Sequence, residues 1–276
     1  MSTVAAAIRD AAARLSATSD TARLDAEVLM AHALGITRSD LLLRHMADPA
    51  PAGFAALVDR RARHEPVAYI TGKQDFFGLT LAVDARCLIP RGDSECVVEA
   101  ALAAAPAAAS VLDCGTGSGA LLLALLANLP DAQGIGVDAS ADALHVAQAN
   151  ADALGLADRV RLLRRDWTQS GWAADLGRFD LIIANPPYIA HAAPLDASVR
   201  DFEPAAALFA GPEGLDDYRV LIPQLPALLN SGGAAVLEIG AAQANAVSAL
   251  ANAAGFAVQC RPDLAGRPRA LVLGQS

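Results

Sequence analysis

The spacing of apolar residues changes twice along the chain. In the first 64 residues it is helical. Leu24, Val28, Ala31 and Leu34 form one predicted stripe, on a helix that Ser19 or Asp20 would cap and Gly35 would end. A second predicted helix begins near Pro51, with Phe54, Leu57 and Val58 on its apolar side. Its basic end, Arg60, Arg61 and Arg63, suits the negative pole of a helix dipole. From Glu65 to Pro90 the texture turns to strand. Val67, Tyr69 and Ile70, then Phe76 and Phe77, then Leu79, Leu81 and Val83 are broken by Gly72 and Gly78, which predicts a hairpin between two domains. A helix over about Ser94 to Ala104 follows.

After Ser110 predicted strands and helices alternate. Val111 to Asp113 is a strand, Ala120 to Leu129 an apolar helix, Gly134 to Asp138 a strand, and Ser140 to Leu154 a helix. Val160 to Leu163, Phe179 to Ala184 and Ala234 to Ile239 are further strands, and residues 188–215 form a long loop-rich stretch. Such alternation predicts a mainly parallel sheet with helices on both faces, whose ligands sit at the C-terminal strand ends.

Composition narrows this picture. The apolar fraction of 54% permits a sizeable core, and the longest apolar run, Ala120 to Ala127, is far too short for a membrane span. The N-terminal residues lack a basic segment followed by a long apolar one, so a cytoplasmic, non-membrane protein is expected. Cys87, Cys96, Cys114 and Cys260 form no C-x-x-C pair; neither disulfides nor a metal site is expected, and the thiols read as buried or inert. The net charge is −9, and it falls entirely beyond residue 90, where eleven basic groups face twenty acidic ones. Lys73 is the only lysine. A protein that grips bare nucleic acid needs a basic footprint, so stable nucleic-acid binding is not expected. Arg60, Arg61 and Arg63 read as a solvated helix end, with residual RNA contact as the alternative.

The first candidate site is Asp113-Cys114-Gly115-Thr116-Gly117-Ser118-Gly119, which closes a strand and opens a helix. Glycines there allow a tight turn and a close ligand. A lone glycine-rich turn also fits a nicotinamide or flavin site. Asp138 ends the next strand, roughly 20 residues on, where a carboxylate can accept from both ribose hydroxyls. Asp166 can accept from an exocyclic amine and Trp167 can cover a purine face. Together these residues predict an adenosine pocket.

The second candidate site selects the chemistry. The predicted strand Phe179 to Ala184 runs into Asn185-Pro186-Pro187-Tyr188. Two prolines fix the backbone and remove two N–H donors, so the turn presents acceptors. The Asn185 side-chain oxygen and the Pro186 carbonyl can each take one hydrogen of a planar NH2 group, and Tyr188 can pack against that group. Held in this way, the weakly nucleophilic nitrogen gains electron density and can be aligned with a sulfonium methyl. S-adenosyl-L-methionine is therefore the expected cofactor. The methylated nitrogen becomes acidic enough to lose its proton to water, so no dedicated base is assigned.

With these motifs the chain resembles the HemK/PrmC-type protein-glutamine N5-methyltransferases over nearly its whole length. Arg23, Asp25-Ala26-Glu27, Leu29, His32, Leu34 and Gly35 resemble that family's N-terminal helical signature. Glu65 to Gly72 with Phe76, Phe77 and Gly78 resembles its joining hairpin, and Ile89 to Glu95 the segment before its catalytic domain. Phe202-Glu203-Pro204 and Gly214-Leu215-Asp216 resemble its late loop. Gly92, Ser94 and Cys114 depart from the family pattern, where a proline, a threonine and an aliphatic residue are usual. Gly92 loosens a turn beside the cofactor.

The resemblance implies a helical substrate-docking domain over 1–64, a β-hairpin linker over 65–92, and a Rossmann-like seven-stranded methyltransferase domain over 93–276. It also implies that the acceptor is the glutamine of the Gly-Gly-Gln loop in class-1 peptide chain release factors, bound by a monomer. Alternatives are a ribosomal-protein glutamine or the exocyclic amine of a flipped base. A nicotinamide-dependent oxidoreductase would leave Asn185 to Tyr188 unexplained. A non-catalytic binding module would be expected to have lost them.

Overall fold

The computed structural model describes residues 2–275. The chain forms two compact units. One runs to Lys73 and includes Leu195–Phe202; the other comprises Gln74–Pro194 and the chain from Glu203 onward.

The first unit is helical. Helix α1 (Val4–Leu15) starts where the Thr3 hydroxyl accepts from the Ala6 amide, and it buries Val4, Ile8, Ala11 and Leu15, one side of a 3.6-residue repeat. Helix α2 (Ala22–Leu34) ends at Gly35, which takes the left-handed conformation at φ 68° as expected. Its start and its buried face differ from expectation. Thr21 is the N-cap, and the buried positions are Asp25, Ala26, Glu27, Leu29, Met30 and Ala31, while Leu24 is exposed. Thr21 holds the N-cap position without a side-chain capping bond; the Ser19 and Thr21 hydroxyls instead donate to the Asp25 carboxylate (2.7 and 2.8 Å).

The two buried acids are satisfied by arginines. Arg61 binds Asp25 at 2.7 Å, while Arg23 and Arg38 both bind Glu27. Burial pushes the Glu27 carboxyl up, but hydrogen bonds from Arg23 and Arg38 outweigh it and hold it below the usual range. A short helix α3 (Arg38–Asp40) precedes α4 (Phe54–Ala62), which buries Phe54 and Val58. Arg60 pairs with Glu65, so two of the three arginines at the end of α4 are structural. The stretch expected as the first strand is a helix, α5 (Val67–Thr71). Pro66 precedes it and a left-handed Gly72 ends it, and this Pro–Gly bracket outweighs the strand preference of Val67, Tyr69 and Ile70.

The second unit begins with a two-stranded hairpin, β1 (Lys73–Phe76) and β2 (Leu79–Ala82), turning at Phe77 and Gly78. Helix α6 (Glu95–Ala104) leads to the main sheet. Its chain order is β3 (Ser110–Cys114), α7 (Ala120–Asn128), β4 (Gln133–Asp138), α8 (Ala141–Ala153), β5 (Val160–Arg164) and β6 (Phe179–Ala184); after the short helix α9 (Ala197–Arg200), which belongs to the first unit, come the short helices α10 (Asp216–Leu221) and α11 (Leu225–Leu228). Strand β7 (Leu229–Glu238), helix α12 (Ala244–Ala253) and strands β8 (Phe256–Pro262) and β9 (Pro268–Gln275) complete it. The spatial order is β5-β4-β3-β6-β7-β9-β8. The first five strands run parallel, and β9 inserts antiparallel between β7 and β8.

Alternate residues of each central strand enter opposite layers. Val111, Leu181 and Ile183 pack with α6 and α7, whereas Leu112, Cys114, Ile182 and Ala184 pack with α10 and α12. Burial on both faces is why β6 reads as an unbroken apolar run. From β3 the chain winds outward to β5, then returns to β6 on the other side. The C-terminal ends of β3 and β6 are therefore the topological switch point.

Candidate active site

At the switch point the two sequence motifs meet. Cys114 of β3 is in register with Ala184 of β6, so the next residues, Gly115 and Asn185, leave the sheet side by side. A Cβ on Gly115 would lie 4.0 Å from the Asn185 carbonyl oxygen and 3.1 Å from the Trp167 ring, at a φ of +80°. Glycine is required there by both the backbone angle and the space.

A cavity of about 370 Å³ opens beside these turns. Gly115, Thr116, Gly117, Ser118, Asp138, Asp166, Trp167, Asn185 and Pro187 line it, so most of the predicted residues come together. Asp138 sits at the end of β4, where one oxygen accepts from the Gly117 amide (2.9 Å) and the other from the Ser140 amide (2.8 Å). Burial raises its pKa against both hydrogen bonds. Each oxygen keeps a lone pair for a ligand hydroxyl. Trp167 is held by its Nε1–H, which donates to Asp217 at 2.9 Å. Asp166 folds back on its own turn, accepting from the Thr168 amide (2.9 Å) and hydroxyl (2.6 Å), and these bonds hold its pKa low. Asn185 lines the cavity, and its side-chain amide makes no hydrogen bond to another described residue.

Asp113, Gly119, Pro186 and Tyr188 do not line the cavity. Asp113 lies beneath the glycine turn, fully buried, and accepts from the Thr116 hydroxyl at 2.7 Å. Burial pushes its carboxyl up to about 7, although the Thr116 bond pulls the other way. It therefore shapes the turn and does not form the cavity wall. A Cβ on Gly119 would meet Leu123 at 3.0 Å and Ala147 at 3.4 Å. Tyr188 turns inward: its hydroxyl donates to Glu238 at 3.4 Å, and burial, then the Glu238 charge, pushes it up to about 12. This contact fixes the hydroxyl end of the Tyr188 side chain.

Residues with no role assigned from sequence complete the site. Asp217 anchors Trp167. Asn150 ties the hairpin to the glycine turn, accepting from the Ala82 amide (2.7 Å) and donating to the carbonyls of Ala82 (3.0 Å) and Ser118 (2.9 Å). Arg91 lines the cavity and pairs with the buried Glu203, which also accepts from the Ile89 amide at 3.3 Å. Cys87 is a wall residue, its thiol pushed up to about 11 by burial. The segments holding Arg91 and Glu203 were visible as family-like stretches. Nothing in the sequence separates Asp217 from Asp216, or Asn150 from other helix residues.

Residues 6–72 match the PrmC N-terminal domain, and residues 106–245 match a methyltransferase domain. The chain is 46% identical over 271 residues to the release factor glutamine methyltransferase of Cereibacter sphaeroides, covering 95% of each chain. It is also 46% identical to that of Moorella thermoacetica, over 97% of this chain and 96% of the relative. The chain belongs to the release factor glutamine methyltransferase family. Among solved structures, a methyltransferase from Pyrococcus furiosus shares the fold with a TM-score of 0.54 at 17% identity, covering 79% of this chain and 98% of that one. The family places the cavity and the Asn185 turn in a methyl-transfer enzyme. In that light the unengaged amide of Asn185 is the most informative group at the site.

Proposed function

We propose that the protein transfers a methyl group from S-adenosyl-L-methionine to the side-chain amide nitrogen of the glutamine in the Gly-Gly-Gln loop of class-1 peptide chain release factors. The observation that carries this reading is the register pair Cys114–Ala184, which sets a glycine turn and an unengaged asparagine amide next to each other at one cavity. The donor set fits the cofactor: a carboxylate with free lone pairs at Asp138, an indole face at Trp167, and a backbone without side chains at Gly115 and Gly117. Bound there, the cofactor supplies a methyl carbon on a positively charged sulfur.

The chain's own residues handle the acceptor. The Asn185 side-chain oxygen and the Pro186 carbonyl each accept one N–H of the glutamine amide. That fixes the nitrogen's orientation and raises its electron density. Because the turn carries two prolines, it offers no N–H at those positions to compete. The half-buried walls around Trp167 and Pro187 limit water at the reacting nitrogen. The helical unit would dock the release factor, with transfer confined to the later unit. Among the described residues no helix is long and apolar enough to cross a membrane, in keeping with action on a cytoplasmic translation factor.

The test is to incubate the protein with methyl-labelled cofactor and either release factor or bare RNA, then digest the product. Label on a Gly-Gly-Gln peptide is expected, and label in nucleotides overturns the reading. Asn185→Ala should lower kcat by roughly 10²–10³-fold, the scale of losing one preorganised polar partner, while cofactor affinity changes far less. Near-normal turnover in that variant removes Asn185 from the reaction.

A further inference from the structure

The acceptor turn is short of backbone donors. Pro186 and Pro187 have no N–H to donate, so its conformation depends on donors from elsewhere. One side chain supplies what the turn lacks. The Gln243 Nε2 donates to the Tyr188 carbonyl at 3.0 Å and to the Gly214 carbonyl at 3.0 Å. The Gln243 Oε1 accepts from the Gly240 amide at 3.0 Å. Both ends of the Gln243 amide are thus engaged by backbone, and both of its N–H donors go to carbonyl oxygens.

The space around this amide is shaped to admit it. A Cβ on Gly214 would stand 2.2 Å from the Tyr188 oxygen and 3.0 Å from the Gln243 Nε2. A Cβ on Gly240 would stand 2.7 Å from the Gln243 Oε1 and 3.4 Å from the Tyr188 ring. Two glycines on different loops therefore leave a slot that Gln243 fills. On the next residue Ile189 is pinned separately, its amide donating to Leu208 (2.9 Å) and its carbonyl accepting from Ala210 (3.0 Å). The Gln243 contact fixes the Tyr188 carbonyl, one residue beyond the proline pair.

We infer that Gln243 is a positioning residue for methyl transfer: its amide clamps the Tyr188 and Gly214 carbonyls and so sets the direction in which Asn185 and Pro186 present their oxygens. This deepens the acceptor reading and rests on it. Gln243 does not line the cavity, so its effect passes through the turn. Displacement of a reacting group by about 1 Å costs on the order of 10²-fold in rate. Loss of the clamp should accordingly appear in kcat.

The experiment uses the full-length protein with release factor as substrate. Gln243→Ala and Gln243→Met are compared with wild type, Asn185→Ala and the two double variants. Gln243→Met keeps the length and packing of the side chain while removing both polar ends, and it serves if the alanine variant does not fold. Measured are kcat and KM for the release factor, cofactor Kd by calorimetry, and Tm. A fall in kcat of about 10–100-fold is expected, with cofactor Kd and KM within about threefold. In the Asn185→Ala background the same substitution should cost several-fold less than it does in wild type, because one of the two oxygens it positions is gone. The proposal is overturned if kcat of a folded Gln243 variant stays within twofold of wild type, or if its loss multiplies in full with that of Asn185→Ala. If Asn185→Ala itself turns over normally, the acceptor reading fails, and the clamp has nothing to position.

Discussion

Asp113→Asn probes the floor of the glycine turn. Asp113 is fully buried, and its carboxyl, near 3.8 in an unfolded chain, rises to about 7 in the fold. Between these two values the native state holds a proton that the unfolded chain has lost. Stability is then full below about pH 4, falls as pH rises, and levels off above about pH 7. Roughly three pH units at about 1.4 kcal/mol each give a loss of about 4 kcal/mol from this one group. Asparagine is neutral throughout and still offers an oxygen to the Thr116 hydroxyl, which lies 2.7 Å away. The assay is urea unfolding from pH 5 to 8, followed by tryptophan fluorescence. Trp167 and Trp172 both lie in the unit that contains Asp113, so the signal reports on it. Glu238, also raised by burial, titrates in both proteins and cancels in the comparison, whereas the Asp138 charge adds to the upward shift of Asp113 and is part of the difference measured. Between pH 5 and 7 the wild type should lose stability faster than the variant by about 1 kcal/mol per pH unit. Parallel curves would show that Asp113 does not hold its proton and would refute this account of the turn.

Two further expectations concern other parts of the chain. Gly115→Ala sets a methyl 3.1 Å from the Trp167 ring at a left-handed φ, and should weaken cofactor binding by about tenfold or more, at about 1–2 kcal/mol for the backbone alone; calorimetry giving an unchanged Kd would contradict it. Asp25→Ala leaves Arg61, a largely buried guanidinium, without its carboxylate, and should destabilise the helical unit by about 3 kcal/mol; hydrogen exchange in α1 and α2 reads this directly, and unchanged protection there would refute it.

The parts of the site that could be read from sequence share a property: their residues are contiguous and sit at strand ends. The glycine turn, Asp138 and Asn185 to Tyr188 each follow a short apolar run that could only be a strand, so their place at the sheet's C-terminal edge follows from the alternation itself. What escaped was fixed by partners far away in the chain. Helix α2 presents its Asp25–Met30 side inward because Arg61 and Arg38 neutralise Asp25 and Glu27, and the simple apolar stripe through Leu24 has no knowledge of them. Helix α5 was obscured by β-branched and aromatic residues, although Pro66 and Gly72 marked its ends. Asn150, Asp217 and Gln243 are polar residues in stretches that read as solvated helix or loop. Their importance lies in which backbone groups they satisfy, and only the folded chain brings those groups within reach. The reversal of β8 and β9, with the last strand inserted inside the one before it, is likewise a matter of tertiary pairing.

The distance between donor and acceptor turns is a property of the sheet before it is a property of the loops. Parallel neighbours lie about 4.8 Å apart, and the pair Cys114–Ala184 is the last rung shared by β3 and β6. Gly115 and Asn185 therefore begin from a spacing that no loop change can alter without breaking the buried ladder of Leu181 to Ala184. What loops can change is aim. On the donor side aim is set by Asp138, which accepts from the Gly117 amide, and by Asp217, which fixes the Trp167 ring. At the Asn185 turn two prolines remove two backbone donors, and the proposed Gln243 clamp would set its aim. Core substitutions in β3 or β6 should thus act on stability with little selective effect on kcat. Substitutions among these three positioning groups should do the reverse.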